Sequence, residues 1–287
     1  MSLLRRAYYK TRRRLTLTRK NVRDVLTLGW GFHLRYAAIL MRKTEAVVPV
    51  RNVGKLRFRL TGSDTETIRE IFSLREYDLS RNPHFRDLMK KYDKSIKSGL
   101  VPTIIDAGAN MGAATVWFSR QFPAAHIIAI EPDSDNARVI RENVAQLTNV
   151  TLVEGAIGAD SGFVSLENTE TESNAIRTVR HSGDCGVRVY TVDDLLKLVD
   201  RATPFIFKID IEGFERDLFS KNTDWVSRPD VIIVEPHDWL LHGKQTSAGF
   251  QKALGDIGSG LFLQGQNLVY INKRVWEVEA ADDNSKV

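Results

Sequence analysis

The sequence predicts a doubly wound α/β fold with a mostly parallel sheet, preceded by an N-terminal extension of helix and hairpin. Three observations carry that expectation. Short, continuous apolar runs recur at 103–107, 127–131, 150–154, 205–209 and 231–235, and strands buried on both faces read this way because neither face meets water. Segments of helical character lie between them, the β-α alternation of a parallel sheet clothed by helices. The first run also opens into a turn of small residues, Asp106-Ala-Gly108-Ala109-Asn110-Met-Gly112, where glycine reaches backbone angles denied to other residues and lets a ligand approach the main chain.

That turn restricts the ligand. A dinucleotide fingerprint reads G-x-G-x-x-G, whereas this turn reads D-x-G-x-N-x-G, and no Lys-Ser or Lys-Thr pair follows to make a P-loop. The next strand ends in Glu131-Pro132, and an acid at that place accepts hydrogen bonds from ribose hydroxyls. Asp106, Gly108, Ala109, Asn110, Gly112, Glu131 and Pro132 together describe an adenosine-type ligand without a phosphate cradle, which points to S-adenosylmethionine. The third strand ends at Gly155-Ala156-Ile157-Gly158, where small side chains at Ala156 and its neighbours leave room for an adenine ring.

At 287 residues the chain holds one large α/β domain with additions, or two small ones. Cys185 is the sole cysteine, which rules out a disulfide framework within the chain and a cysteine-based zinc site, and fits a reducing cytoplasm. The net charge of +5 hides an asymmetry. Residues 1–43 carry twelve Lys or Arg against Asp24 alone, a net of +11, and the rest of the chain is mildly acidic at −6.

The expected division is a basic helical arm over 1–45, a hairpin-and-helix cap over 46–100, the α/β cofactor-binding domain over 101–276 and a polar tail over 277–287. The arm is too densely charged for a signal peptide, and its most apolar stretch, 25–41, contains His33 and Arg35 and falls short of a membrane span. Three readings stay open for it: a helix docked on the domain, an interfacial amphipathic helix against anionic lipid, and a nucleic-acid arm. Alternation around Asn52-Val-Gly54 predicts a β-hairpin. Ser63 or Asp64 then caps a helix with Ile68, Ile71 and Phe72 on its apolar face, ending at Tyr77-Asp78. Residues 81–100, rich in Lys, read as a solvated helix or loop. Ser134 is expected to cap the helix over 134–146, and Thr191 the helix that follows it. Between 162 and 190, short alternating segments read as an inserted hairpin bordering the substrate pocket, with Asn174 and His181 as polar contacts. Segments 261–263 and 267–271 close the sheet.

Two strands bring the chemistry. One runs into Lys208-Ile-Asp210-Ile-Glu212-Gly-Phe-Glu215 and the other ends in Glu235-Pro-His237. Ligands of open α/β sheets bind beyond the carboxyl ends of the strands, so Asp106, Glu131, Asp210, Glu212, Glu235 and His237 are expected on one rim.

The blocks Ile105-Asp-Ala-Gly-Ala-Asn-Met-Gly112, Ile130-Glu-Pro132, Tyr190-Thr-Val-Asp-Asp-Leu195 and Lys208-Ile-Asp-Ile-Glu-Gly-Phe-Glu215, in this order, resemble the FkbM family of S-adenosylmethionine-dependent methyltransferases over about 65–271. The resemblance implies a seven-stranded class I, Rossmann-like methyltransferase fold and methylation of a hydroxyl oxygen on a saccharide, glycolipid or secondary metabolite. It does not cover residues 1–45.

Methyl transfer from a sulfonium is an in-line displacement, so the protein must align the nucleophile and remove its proton. His237 is the first candidate base, because an ordinary histidine titrates near neutrality, and Asp210, also placed at the cofactor, is the second. Lys208 orients a carboxylate or holds the substrate oxygen. Glu212 binds substrate or anchors the Gly213 turn, and Glu235 borders the substrate. The competing reading makes Lys208 and Asp210 a buried ion pair and His237 a satisfied strand-end histidine. Asp210, Glu212, Glu235 and His237 have the chemistry to surround a hard divalent ion, yet the sequence demands no metal. The expected protein is a cytoplasmic O-methyltransferase, held peripherally at anionic membrane if the arm is interfacial. The alternatives are an RNA methyltransferase using the arm, which lacks an N-P-P-Y or D-P-P-Y strand end, and a non-catalytic methyltransferase-like adaptor.

Overall fold

The computed structural model describes residues 19–60, 63–168, 176–180, 186–238, 243, 246–255 and 257–276. The chain divides into two units, Met1–Arg75 and Glu76–Val287. Residues 1–18 of the basic arm, Asn174, His181, Cys185 and the tail from 277 onward lie outside the described residues.

In the first unit a helix over 19–27 (α1) is followed by a 3-10 turn, Trp30–His33, then α2 (Leu34–Leu40), β1 (Glu45–Val50), β2 (Gly54–Arg59) and α3 (Asp64–Ile68), which runs on as a π-helical turn, Arg69–Leu74. The predicted hairpin is present, antiparallel, with Val48 opposite Leu56. Alternate residues Val48, Val50, Leu56 and Phe58 are buried, and the Phe58 ring lies 6.0 Å from that of Phe32. The helices beside it turn charge inward. Arg35, only 2% exposed, donates to Phe32 O at 2.7 Å and to Asp24 Oδ2 at 3.0 Å, and Arg69 donates to the same carboxylate oxygen at 2.8 Å. A buried carboxylate is tolerated there because two guanidiniums pair with it.

Two local expectations fail in this unit. Ser63 makes no side-chain cap, and Asp64 instead turns back to accept from Arg59 N and its guanidinium, both at 2.8 Å. The helix stops at Leu74 rather than at Tyr77-Asp78, because Arg75 takes the left-handed region at φ 60 and turns the chain.

The second unit runs α4 (Phe85–Lys97), β3 (Val101–Ala107), α5 (Ala113–Gln121), β4 (His126–Glu131), α6 (Ser134–Val144), β5 (Val150–Glu154), β6 (Ala156–Ile157), β7 (Gly162–Asn168), β8 (Ile176–Arg180), β9 (Val187–Tyr190), α7 (Val192–Leu196), β10 (Ala202–Ile209), α8 (Glu215–Leu218), β11 (Val231–Val234), α9 (Ala248–Gly255), β12 (Gly260–Gln264) and β13 (Asn267–Ile271). Among the described residues, seven strands form one sheet in the order β5-β4-β3-β10-β11-β13-β12. From β5 to β11 the neighbours are parallel, and β13 runs antiparallel to both of its neighbours. This is the mostly parallel, seven-stranded sheet expected of a class I methyltransferase fold. Its central residues, Ile104, Ile128, Ile206 and Ile233 among them, are wholly buried, as continuous apolar strands require.

The chain moves outward from β3 through β4 to β5, then crosses back and moves outward from β10 to β11 on the other side. The switch point therefore lies between β3 and β10, where crevices form at the carboxyl ends of such strands. Register sets Asp106 opposite Lys208 and Ala107 opposite Ile209.

The insert is larger than the predicted hairpin. Among the described residues it is a four-stranded sheet, β6-β9-β7-β8, in which the two-residue β6 pairs parallel with β9. Thr191 caps α7 as expected, in a capping box with Asp194. Asp133, not Ser134, caps α6, accepting from Asn136 N at 2.8 Å. Residues 81–100 are not merely solvated: Leu88 and Tyr92 of α4 are buried, and the Tyr92 ring packs 5.0 Å from Phe205 and 5.6 Å from Phe122. The density of lysines hid a two-residue apolar stripe.

Candidate active site

Two loops meet at the switch point, one after β3 and one after β10. Gly108 has φ 75, and a Cβ built there would lie 1.8 Å from the carbonyl oxygen of Asp210. No side chain fits, so the loops touch through bare backbone. Gly108 N donates to Ile130 O at 3.0 Å, and Asp210 N to Ala107 O at 3.1 Å. Each loop also holds one non-glycine residue in the left-handed region, Asn110 at φ 50 and Glu212 at φ 53. Such conformations cost roughly 1–3 kcal/mol each and persist where the surroundings hold them. The first loop closes with Gly112 N donating to Ala109 O at 2.7 Å just before α5, and Ala109 is buried.

Glu131, at the end of β4, ties that loop down. Its Oε2 accepts from Asn110 N at 2.8 Å, and its Oε1 accepts from Asp133 N at 3.1 Å and Asn136 Nδ2 at 3.0 Å. Burial pushes its carboxyl up to about 6, against the pull of those hydrogen bonds. Pro132 follows, half-buried.

Beneath the loops lies an ion pair. Lys208, 3% exposed, and Asp106, wholly buried, stand side by side in register with Nζ 3.1 Å from Oδ1. The ammonium also donates to Gly108 O at 2.8 Å and stands 3.3 Å from Asp210 Oδ2. Thr115 donates to Asp106 Oδ2 at 2.6 Å. Burial alone would push Lys208 down, but Asp106 and Asp210 hold it well above its ordinary value. Tyr77 faces the same charges, and burial, with the nearby carboxylates, pushes its phenol well up while Lys208 opposes. Sequence reasoning passed over Tyr77 as a helix end.

His237 stands beside this group, close to Asp210. It is 2% exposed, and its Nδ1 lies 3.0 Å from Oε1 of Glu215, an equally buried residue whose Oε1 also accepts from Ile211 N at 3.1 Å. Nε2 lies between Asp210 Oδ1 at 3.5 Å and Glu212 Oε2 at 3.6 Å. Burial alone would push the imidazole down, but Glu215, Asp210 and Glu212 push it up to about 9, so His237 is an imidazolium at neutral pH. Burial and Asp210 push Glu212 up to about 7 and Glu235 up to about 8. Asp210, Glu212 and His237 bring ligand-type atoms within 4.8 Å of one another.

The structure thus gathers Asp106, Lys208, Asp210, Glu212, Glu235 and His237 and sets the Gly108–Gly112 turn and Glu131 beside them. Ala156, just beyond the end of β5, packs with Val164, Val189 and Phe214 in a second buried cluster. Asn174 and His181 fall outside the described residues. Glu215 was missed as a site residue, although it is the last acid of the Lys208–Glu215 block and begins α8 directly under His237 Nδ1.

A family model described as the methyltransferase FkbM domain matches residues 106–251, from the ion-paired Asp106 to α9. The chain belongs to the FkbM methyltransferase family. Among curated proteins, this FkbM chain is 24% identical over 133 residues to the hexuronic acid methyltransferase AglP of Haloferax volcanii, a match covering 46% of the chain and 54% of AglP. It is 24% identical over 162 residues to the 2-O-methyltransferase NoeI of Sinorhizobium fredii, covering 50% of the chain and 67% of NoeI. The chain therefore spans about half the length of AglP and two thirds of NoeI. Solved structures that match include the precorrin-6y C5,15-methyltransferase of Geobacter metallireducens, with a TM-score of 0.34 and 15% identity over 60% of this chain and 79% of that one. The fibrillarin pre-rRNA processing protein of Methanococcus jannaschii matches with a TM-score of 0.37 and 13% identity, covering 60% and 67%. Both scores are low, and the fold assignment rests on the strand order.

Proposed function

We propose that this FkbM-family chain is an S-adenosylmethionine-dependent O-methyltransferase acting on a hydroxyl of a saccharide, glycolipid or secondary metabolite. The observation that carries the reading is the arrangement across the switch point: a bare-backbone turn pinned by Glu131 on one side, and a Glu215-held His237 on the other. The names of AglP and NoeI, a hexuronic acid methyltransferase and a 2-O-methyltransferase, favour a sugar hydroxyl as acceptor.

The residues present suit the cofactor. Gly108 lets the turn lie directly against the Asp210 backbone, Glu131 is a buried acid at the end of β4, and no Lys-Ser or Lys-Thr pair follows the turn to cradle a phosphate. Asp106, Gly108, Ala109, Asn110, Gly112, Glu131 and Pro132 are proposed to hold it, with Ala156 toward the adenine and Asp210 reaching in from the second loop. When bound, S-adenosylmethionine supplies a methyl group made electrophilic by a sulfonium.

The chain's own residues then handle the proton. His237 Nε2 takes it from the acceptor hydroxyl while Glu215 holds Nδ1–H, which fixes the tautomer. His237 must first lose its own proton, and any positive charge bound beside it would favour that loss, because a nearby cation disfavours the imidazolium. Asp210 is the second candidate base. Lys208 acts on the reaction by holding the Gly108 turn and Asp210 in place, and Glu212 and Glu235 bind hydroxyls of the acceptor. Asn174 and His181 are proposed acceptor contacts from the insert.

Around this centre we retain residues 1–45 as a basic arm, 46–100 as a cap, 101–276 as the methyltransferase domain and 277–287 as a polar tail. We place the protein in the cytoplasm, in peripheral contact with anionic membrane through the arm. Calorimetric titration of S-adenosylhomocysteine, in EDTA, tests the core of the reading. Binding to the wild type that disappears in Glu131→Ala supports it. A folded wild type that takes up no S-adenosylhomocysteine overturns it and leaves the adaptor reading in its place.

A further inference from the structure

Among the described residues, nine of the fifteen exposed large apolar side chains lie between Val22 and Val47. They are not scattered. Leu34 and Ala37 are exposed on one face of α2, and Trp30 in the preceding 3-10 turn and Met41 at the helix C-cap are exposed at its two ends. Leu40 beside them is 85% exposed and Trp30 is 76% exposed. On α1 the exposed residues Arg19, Val22, Arg23 and Leu26 share a face by the same spacing.

Water-exposed helices normally turn their apolar stripe inward. Here the inward positions are taken by Phe32 and by the Arg35–Asp24–Arg69 charge cluster, and much of the apolar surface points out. Large apolar side chains exposed in such number over one short segment mark an interaction surface.

The charges around it select the partner. Arg19, Arg23, Arg42, Lys43 and Arg51 are all exposed, Lys20 pairs with Glu66 at 3.2 Å, and Arg51 donates to Leu26 O at 3.0 Å, which sets a cation at the junction between α1 and Trp30. Of the acids in the same stretch, Asp24 is buried between guanidiniums and Glu45 is paired with Arg57 at 3.1 Å. Residues 1–18 add six more Lys or Arg and no acid. Leucine and methionine flanked by cations, with a tryptophan at their edge, match the layered chemistry of a bilayer interface, where apolar side chains enter the acyl boundary, tryptophan sits at headgroup depth and basic groups meet anionic lipid. No helix among the described residues is long and apolar enough to cross a membrane.

We infer that the outward face of α1 and α2, from Val22 to Lys43, docks on the surface of an anionic lipid bilayer, with Trp30, Leu34, Leu40 and Met41 entering the interface. This deepens the membrane contact proposed for residues 1–45 and is independent of methyl transfer.

The test is co-sedimentation of the full chain with vesicles of phosphatidylcholine alone and of phosphatidylcholine mixed with phosphatidylglycerol. Wild-type protein is expected to pellet with the mixed vesicles only. The variant Leu34→Asn with Leu40→Asn changes no charge, so it separates the apolar face from the basic arm. Both side chains are already solvent-exposed, so the thermal unfolding midpoint is expected to stay the same while the partition coefficient falls by at least about tenfold. Wild-type protein that stays in the supernatant with both compositions overturns the inference, as does a double variant that pellets like wild type. Self-association of lipid-free wild type that the double variant abolishes also overturns it, because a second copy then covers the face. S-adenosylhomocysteine binding is measured on the same preparations, so that loss of the lipid result and loss of the cofactor result are read separately.

Discussion

The buried carboxylate of Glu215 sits 3.0 Å from Nδ1 of His237, 22 residues further along the chain. Glu215 opens α8 after β10, and His237 lies just beyond β11, so the parallel pairing of those two strands brings them together. The contact occupies one ring nitrogen and leaves the other between Asp210 and Glu212. Glu215 is thus a positioning residue for His237.

Replacing Glu215 by glutamine keeps the shape and removes the charge. His237, pushed up to about 9 by that contact and its neighbours, is expected to titrate lower by about one pH unit or more. NMR titration of the His237 ring reads this directly, and the rising limb of kcat with pH should move the same way. A ring titration unchanged by Glu215→Gln would remove Glu215 from the mechanism.

His237 also links stability to pH. Its folded value of about 9 exceeds the ordinary 6.5, so the folded state keeps a proton that the unfolded chain releases. The stabilisation is fully present below about 6.5 and is lost as pH rises through about 9; its ceiling is about 3 kcal/mol. Glu212 and Glu235, raised to about 7 and about 8, add a fall of the same sign from their ordinary value upward. Urea midpoints should decline across this range in the ligand-free protein and decline less in His237→Asn.

Lys208→Met strands the carboxylate of Asp106 in the core without its cation. Breaking a buried pair from one side costs about 3–5 kcal/mol, and urea unfolding should show a loss of that order. The double variant Lys208→Met with Asp106→Asn should recover part of it. If the single variant is as stable as wild type, the ion pair does not hold the turn.

Glu131 must be ionised to serve as a strong acceptor for ribose hydroxyls, and burial places its titration at about 6. S-adenosylhomocysteine affinity should therefore decline as pH falls through about 6. Glu131→Gln should weaken binding by roughly ten- to a hundredfold at neutral pH and remove that dependence. Calorimetry at several pH values measures both.

Much of the fold was legible because its strands are buried on both faces: continuous runs such as 103–107 and 205–209 leave little doubt of a parallel sheet. The rim was legible for the same reason, since strand ends locate Asp106, Glu131, Asp210 and His237 without tertiary information. What was missed depends on direction rather than on residue type. Whether Asp133 or Ser134 caps α6 is decided by which side chain reaches Asn136 N. α4 hid its buried side because only Leu88 and Tyr92 face inward among its lysines. Glu215 and Tyr77 act by pointing into the site from a helix start and from a loop, and no spacing in the sequence reports that.

The missing Cβ of Gly108 has a thermodynamic consequence. With no side chain between them, the turn after β3 and the loop after β10 cannot shift independently, because the Asp210 carbonyl occupies the space and Lys208 bridges both loops. A ligand held by the first loop therefore biases the geometry of the second. Linkage makes that bias reciprocal: whatever factor one substrate contributes to the affinity of the other, it receives back unchanged. Ligands held by these two loops are therefore coupled through a backbone contact, equally in both directions.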